Sequence, residues 1–249
     1  MDLADSVALV TGGSGAIGQA VAEELARAGA SVAVGYHSDE EGAQRAVERA
    51  EAHGVTARAL QADVTDEDAA AGLVEQAAAM GDLRALVVCA GVTDPHAIED
   101  LDAETLDRVL SVNVTGAANV ARPAVEQFRG KGGAVVAVSS VAADLGTVDA
   151  TYATAKAGLQ GFVRALAREL GPEGVRANVV APGPVDTPMN DRIVEFLEAQ
   201  RFRGHDTVDT LLDRYEAQPE EVAEAVRFLV THEFITGEIL RVDGGLSLG

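Results

Sequence analysis

Residues 7–29, VALVTGGSGAIGQAVAEELARAG, decide how the rest of the chain is read. Val7–Val10 is a short apolar run without polar alternation, the pattern of a parallel strand covered on both faces. It passes directly into the glycine-rich stretch Thr11–Gly18, and then into a helical pattern that closes at Gly29. A turn of this kind lets the backbone approach a diphosphate, and the free N–H groups and positive end of the following helix stabilise the anion. A glycine cluster alone means little. This one follows the first strand and opens the first helix, which is the context that gives it meaning.

The same alternation continues along the chain. Further short apolar runs lie at Ser31–Gly35, Thr56–Gln61, Ala85–Cys89, Ala134–Val138, Ala177–Ala181 and Glu238–Val242. Helical periodicity fills roughly 16–28, 39–53, 66–80, 103–128, 150–170 and 219–230. Repeated strand–helix units imply right-handed crossovers. The expected architecture is α/β: a doubly wound, parallel, seven-stranded sheet with helices on both faces. No linker composition or internal repeat interrupts it, so residues 1–249 read as a single domain. One segment breaks the rhythm. From Pro184 to Gln218 no strand signal occurs, and the stretch reads as one or two helices with a break at Gly204–His205–Asp206. Its place after a strand end makes a substrate lid over about 184–218 the expectation.

Composition removes several classes of function. The net charge is −21, from 40 acidic and 19 basic residues, which repels a nucleic-acid backbone. The chain has no Trp and only 4% aromatic residues, so a base-stacking surface is not expected. Lys131 and Lys156 are its two lysines. High acidity with scarce lysine fits either a protein working in high salt or a plain compositional bias. Cys89 is the single cysteine and reads as a buried small residue. Neither a signal peptide nor an 18-residue apolar span is seen, and no metal-ligand spacing stands out. A soluble, cytoplasmic protein with no membrane partner is expected.

Two regions carry the chemistry. Ser139 and Ser140 end the fifth strand, and Tyr152 and Lys156 follow at i and i+4 on one helix face. A free tyrosine has a pKa near 10. An adjacent ammonium favours the tyrosinate and is expected to lower that pKa, so that Tyr152 can pass a proton to or from a substrate oxygen. A strand-end serine could polarise that oxygen. The second region is the end of strand two, Gly35-Tyr36-His37-Ser38. NAD-selective sites place an acid there to bind the ribose 2′-OH. Here the position reads as Gly35, and Asp39 is expected inside the first helical turn behind a Ser38–Glu41 capping box. That leaves room for a 2′-phosphate, with His37, Ser38 and Ser14 as contacts and no arginine placed to pair with it. NADP(H) is favoured, and NAD(H) stays open.

With these residues in view, the chain resembles the short-chain dehydrogenase/reductase superfamily, particularly its 3-oxoacyl-thioester (acyl-carrier-protein) reductase-like members, from about Val7 to Gly245. The motifs appear in order: TGGSGAIG at Thr11–Gly18, Asp63-Val64, CAG at Cys89–Gly91, Asn113, Ser140, Tyr152 with Lys156, PGPVDT at Pro182–Thr187, and ITGEILRVDGG at Ile235–Gly245. The resemblance implies a Rossmann-type fold and a role for each match. Tyr152 would be the general acid in reduction. Lys156 would lower its pKa and bind the nicotinamide ribose, Ser140 would orient the carbonyl, and Asn113 would hold a water linked to Lys156. Gly12, Ala16, Ile17 and Gly18 would line the pyrophosphate. Asp63 and Val64 would contact the adenine, Ala90 and Gly91 would flank the cofactor, and Pro182, Gly183, Val185 and Thr187 would meet the nicotinamide end.

Three departures stand out. Ala16 replaces the usual second glycine of the turn. Val88-Cys89 replaces an Asn-Asn pair. The loop before Tyr152 is one residue short, so spacing selects Ser139 while strand alignment selects Ser140; Ser140 is preferred because loops change length more easily than strands change register.

The implied activity is NAD(P)-dependent interconversion of a ketone and a secondary alcohol. The alternatives are a non-redox lyase or a dinucleotide-sensing binding protein on the same fold; Gly12, Gly18, Tyr152 and Lys156 argue against both. The partner is a small carbonyl or alcohol substrate, with a 3-oxoacyl thioester, cyclic ketone, sugar and steroid all open. Arg192, Arg201 and Arg203 are the cations of the lid. The resemblance also implies a homotetramer, assembled through the helices at 103–128 and 150–170.

Overall fold

A computed structural model describes residues 1–147, 149–200 and 210–248. Seven strands among these residues form one parallel sheet in the order β3-β2-β1-β4-β5-β6-β7. They are β1 Ser6–Thr11, β2 Ser31–Tyr36, β3 Ala57–Gln61, β4 Asp82–Val88, β5 Gly133–Val138, β6 Val175–Pro182 and β7 Ile239–Val242. The unbroken apolar runs follow from burial on both faces. In β1, Ala8 and Val10 enter one core while Val7 and Leu9 enter the other.

Helices α1 (Ala16–Arg27) and α2 (Glu40–Glu51) pack on the first face, together with α9 (Pro219–Thr231). The opposite face carries α3 (Glu67–Ala78), α5 (Gly116–Phe128) and α7 (Ala150–Leu170). Much of both cores is Ala and Val, which lets helices lie close to the sheet. Strand order reverses between β1 and β4, and this switch point opens a crevice at the carboxyl ends of the strands.

Part of the acidic composition is spent on helix starts. Asp39, Asp66, Asp102 and Asp149 each N-cap a helix and accept the backbone N–H three residues on. This corrects one expectation. Asp39 is itself the cap of α2, accepting from the Gly42 N–H at 2.9 Å, so the Ser38–Glu41 box does not form.

The single helix expected over 103–128 is also broken. It forms as α4 (Ala103–Leu110), a wide π turn at Ser111–Thr115, and α5. Asn113 explains the break. Its Nδ2 donates to the carbonyl of Val109, four residues back, and to that of Val92 on the β4 exit loop, each at 2.9 Å. The side chain thus takes a carbonyl that the helical ladder would use.

After β5 comes the short α6 (Ala142–Leu145), and after β6 comes α8 (Pro188–Gln200) in the segment expected to be a lid. The ends of that segment are joined: Val185 pairs with Ala217, and Asn190 Nδ2 donates to Glu216 at 2.7 Å. The Gly204–His205–Asp206 break and Arg201 and Arg203 lie outside the described residues.

Candidate active site

A cavity of about 1030 Å³ occupies the crevice. One end is the glycine turn. Gly12 takes φ 62°, and a Cβ there would sit 2.6 Å from the Ala90 nitrogen; one at Gly18 would collide with the Gly12 carbonyl. The backbone is therefore as close as it can be, and only glycine fits. Gly15 caps α1 without a side-chain partner, and α1 has no acid in its first turn. The N–H groups of Ala16, Ile17 and Gly18 stand at this end of the cavity, where an anion would meet the helix dipole. Ser14 lines the same end, its carbonyl accepting from Gln19 Nε2 at 2.7 Å.

The middle of the cavity holds the serine, tyrosine and lysine singled out in the sequence. β5 ends at Val138, and the next two side chains point to opposite sides. Ser139 is buried and donates to the Lys156 carbonyl at 3.0 Å. Ser140 lines the cavity with Tyr152, its hydroxyl acting on the phenol, and accepts the Ala142 N–H at 3.1 Å. Lys156 lies 5.5 Å from the centre of the Tyr152 ring and donates to the Val138 carbonyl at 3.0 Å. Asn113 is buried beneath them and does not line the cavity. Its Oδ1 has no hydrogen-bond partner among the described residues. A Cβ on Gly91 would fall 2.7 Å from that oxygen and 3.1 Å from Lys156 Nζ, so the two polar atoms border one small space.

Burial dominates the titration of this cluster. It pushes the Tyr152 phenol up to about 12, opposed by the Ser140 hydrogen bond and reinforced by the negative charge of Asp149. It pulls the Lys156 ammonium down to about 8. The expected lowering of the tyrosine by Lys156 is therefore not what this arrangement gives: the ammonium bonds a backbone carbonyl, and burial raises the phenol.

The remaining expected residues fall in three places. Pro182, Gly183, Val185 and Thr187 line the cavity beyond Tyr152, with Thr187 Oγ1 bonded to the Val185 carbonyl and the Asn190 N–H. Ala90 presses its backbone on Gly12. His37, Ser38, Asp63 and Val64 stand at the ends of β2 and β3, outside the cavity wall. His37 is exposed and its Nε2 lies 3.8 Å from Asp63 Oδ2, while Val64 is tied down by Asn119 Nδ2 through its carbonyl.

Sequence reasoning missed several residues. Arg45 and Arg49 of α2, which the sequence reading did not single out, both line the cavity with Asp39. They are distant from any motif, but their spacing from Gly42 puts them on the α2 face that meets the glycine turn, a signal readable from helical periodicity. Thr93 and Asp149 form a buried pair in the wall at 2.7 Å. The Asp149–Ala150–Thr151–Tyr152 spacing is an N-cap signature that was open to reading.

A glycine turn at the switch point of a doubly wound sheet, facing a serine, tyrosine and lysine across the crevice, is the layout of a dinucleotide-dependent oxidoreductase. The profile of the family described as "Enoyl-(Acyl carrier protein) reductase" matches residues 12–247. A cis-4-hydroxycyclohexanecarboxylate dehydrogenase of Sinomonas cyclohexanicum is 38% identical, over 98% of this chain and 97% of its own. An L-rhamnose 1-dehydrogenase (NAD(P)(+)) of Azotobacter vinelandii is 37% identical, over 99% of this chain and 98% of its own. Among solved structures, a short chain dehydrogenase of Burkholderia cenocepacia in complex with NADP superposes with a TM-score of 0.88 at 37% identity, covering 99% and 100% of the two chains. The chain belongs to the short-chain dehydrogenase/reductase family of oxidoreductases. Among the described residues no helix is long and apolar enough to cross a membrane, and no group of three or more His, Cys, Asp or Glu is placed to hold a metal ion.

Proposed function

We propose that the protein is an NADP(H)-preferring ketoreductase, interconverting a small ketone and a secondary alcohol with Tyr152 as general acid and base. The observation that carries this reading is the placement of Ser140, Tyr152 and Lys156 in the wall of one cavity that ends on the glycine turn. The relatives named above are dehydrogenases of hydroxylated substrates, which supports the reaction class.

The residues present fit a dinucleotide. Gly12 and Gly18 leave a cradle that any Cβ would fill, and the α1 N-terminus offers unpaired N–H donors without a competing acid. A bound nicotinamide cofactor supplies the hydride. The chain's own groups handle the oxygen. Ser140 donates to the carbonyl and polarises it, while Tyr152 delivers the proton as negative charge develops there. A phenol pushed up to about 12 is fully protonated at neutral pH, as an acid in reduction must be. Lys156 then places a positive charge near the new tyrosinate, and the bare Asn113 Oδ1 next to it is an acceptor for a proton relay.

Arg45 supports NADP(H) over NAD(H). It lines the adenosine end and makes no hydrogen bond or ion pair among the described residues, whereas Arg49 is committed to Glu23 and Glu220. The preferred 2′ group is therefore an anion, for which a guanidinium is the natural partner. Within the segment expected to be a lid, α8 covers the cavity through Met189, Ile193 and Leu197, and residues 1–249 work as one domain. A homotetramer is proposed from α7, whose exposed Ala157, Gly158, Gly161 and Ala165 permit close helix approach.

The test follows nicotinamide absorbance with a panel of ketones. Tyr152→Phe is expected to abolish turnover while NADPH still binds, because the hydroxyl supplies a proton rather than a binding contact. Substantial residual turnover in that variant rejects the assignment. No turnover by the parent protein on any ketone, with nucleotide binding intact, favours a dinucleotide sensor instead.

A further inference from the structure

Helix α8 covers the end of the cavity that lies beyond Tyr152. Its acids Asp191, Glu195 and Glu198 are exposed, and none of them lines the cavity. Met189, Ile193 and Leu197 recur at the spacing of one helix face and do line it. Leu145, Leu246 and Tyr215 extend this apolar wall from other segments. One charged side chain of α8 belongs to the same wall: Arg192, exposed and with no hydrogen bond or ion pair among the described residues.

Five of the fifteen described arginines, Arg45, Arg58, Arg164, Arg168 and Arg192, have neither an ion pair nor a hydrogen bond among the described residues, and of these five Arg45 and Arg192 line the cavity. With 40 acidic against 19 basic residues, a guanidinium has carboxylates on offer almost everywhere. Arg27, Arg49, Arg84, Arg108, Arg122, Arg129, Arg214, Arg227 and Arg241 are all ion-paired. A cation kept apart from them, against an apolar wall opposite the reacting tyrosine, is placed to receive an anion brought in by a ligand.

We propose that the substrate is an apolar oxo acid, whose carboxylate is bound by Arg192 while its ketone faces Ser140 and Tyr152. This deepens the ketoreductase reading and rests on it. The apolar wall takes the hydrocarbon between the two ends. The guanidinium discriminates the free acid from its neutral ester and fixes which end of the molecule enters first. The acidic group in this part of the wall, Asp149, is held by Thr93 and the Tyr152 N–H at the start of α7, on the tyrosine side of the cavity.

The experiment compares 5-oxohexanoate and 3-oxocyclohexanecarboxylate with their methyl esters, in the parent protein and in Arg192→Ala and Arg192→Lys. The parent is expected to prefer each acid over its ester by about 10- to 100-fold in kcat/KM, the range of a charge-assisted contact. In Arg192→Ala this ratio should collapse toward one through KM for the acid, and Arg192→Lys should restore part of it. Equal use of acid and ester by the parent, or an unchanged ratio in Arg192→Ala, overturns the inference and leaves the ketoreductase reading standing. Preference for a 3-oxoacyl-coenzyme A thioester over both acids also overturns it. If no ketone turns over, the ketoreductase reading falls. Calorimetric binding of 3-oxocyclohexanecarboxylate to the protein with NADP⁺ present then decides the anion site: binding lost in Arg192→Ala supports it, and no binding overturns it.

Discussion

The carboxylate of Asp149 accepts the backbone N–H of Tyr152 at 2.9 Å through Oδ1. Its other oxygen receives the Thr93 hydroxyl at 2.7 Å, so one buried side chain joins the loop after β4 to the first turn of α7. The same charge raises the tyrosine, third after the effects of burial and the Ser140 hydrogen bond. Asp149→Asn keeps an oxygen for the cap and removes the charge. Oxidation of an alcohol needs the tyrosinate, so the rising limb of its pH–rate profile should move to lower pH in this variant. Asp149→Ala should in addition cost about 1–2 kcal/mol of stability through loss of the cap. A profile that does not move in Asp149→Asn refutes the electrostatic part of this account.

The two serines at the end of β5 should separate cleanly. Ser140→Ala removes the hydroxyl acting on the Tyr152 phenol and is expected to lower kcat by about 100-fold or more, the usual effect of losing a donor to a developing oxyanion. Ser139→Ala removes a buried bond to the Lys156 carbonyl, costing about 1 kcal/mol of stability and far less activity. Denaturant melts alongside kinetics on both variants check this, and the reverse ranking of activities would assign the role to Ser139.

Much of this was legible because local chemistry repeats global position. Continuous runs such as Val7–Val10 can be satisfied only between two helix layers, and Gly12 and Gly18 stand where a side chain would strike backbone. The break at Asn113 was not legible, because its cause is a carbonyl on Val92, a contact that exists only once β4 and α4 are assembled. The choice between Ser139 and Ser140 turned on strand register, which sequence spacing leaves ambiguous by one residue. The pKa of Tyr152 was read from one neighbour, Lys156, when burial of the whole cluster decides its direction. Arg45 lies six residues past the Asp39 cap and meets the glycine turn only because α2 packs along it.

Lys156 should be a site where function opposes stability. Its folded pKa of about 8 lies below the model-peptide value of 10.5, so the charged form is penalised in the folded state. Taken whole, that difference is about 3 kcal/mol. The penalty is fully present below pH 8 and is relieved as pH rises from about 8 toward 10.5. Lys156→Met gives up the bond to the Val138 carbonyl, worth about 1 kcal/mol. At pH 7 the variant should therefore be more stable than the parent by about 2 kcal/mol while inactive. Its advantage should shrink in melts taken at increasing pH across that window. A less stable Lys156→Met at pH 7 would show that the buried ammonium is better compensated than its bond to the Val138 carbonyl alone would make it.

Arg45 offers the sharpest test of cofactor choice. Gly42 lets α2 lie against the glycine turn, since a Cβ there would approach the Ser14 carbonyl to 2.6 Å. Arg45 and Arg49 follow at +3 and +7, on the face so positioned. Arg49 is held by Glu23 at 2.5 Å and Glu220 at 3.1 Å, which raises its pKa but spends its charge. Arg45 is the one of the two without an ion pair among the described residues, and it lines the cavity together with Asp39. Arg45→Ala should weaken binding of 2′,5′-ADP about tenfold or more and barely alter binding of 5′-AMP, a difference that calorimetry reads without turnover. The salt dependence of 2′,5′-ADP binding should flatten in the same variant, because one phosphate–guanidinium contact has gone. Equal weakening of both nucleotides would make Arg45 a general electrostatic aid rather than a reader of the 2′ group, and unchanged binding of both would return the choice between NADP(H) and NAD(H) to His37 and Ser38.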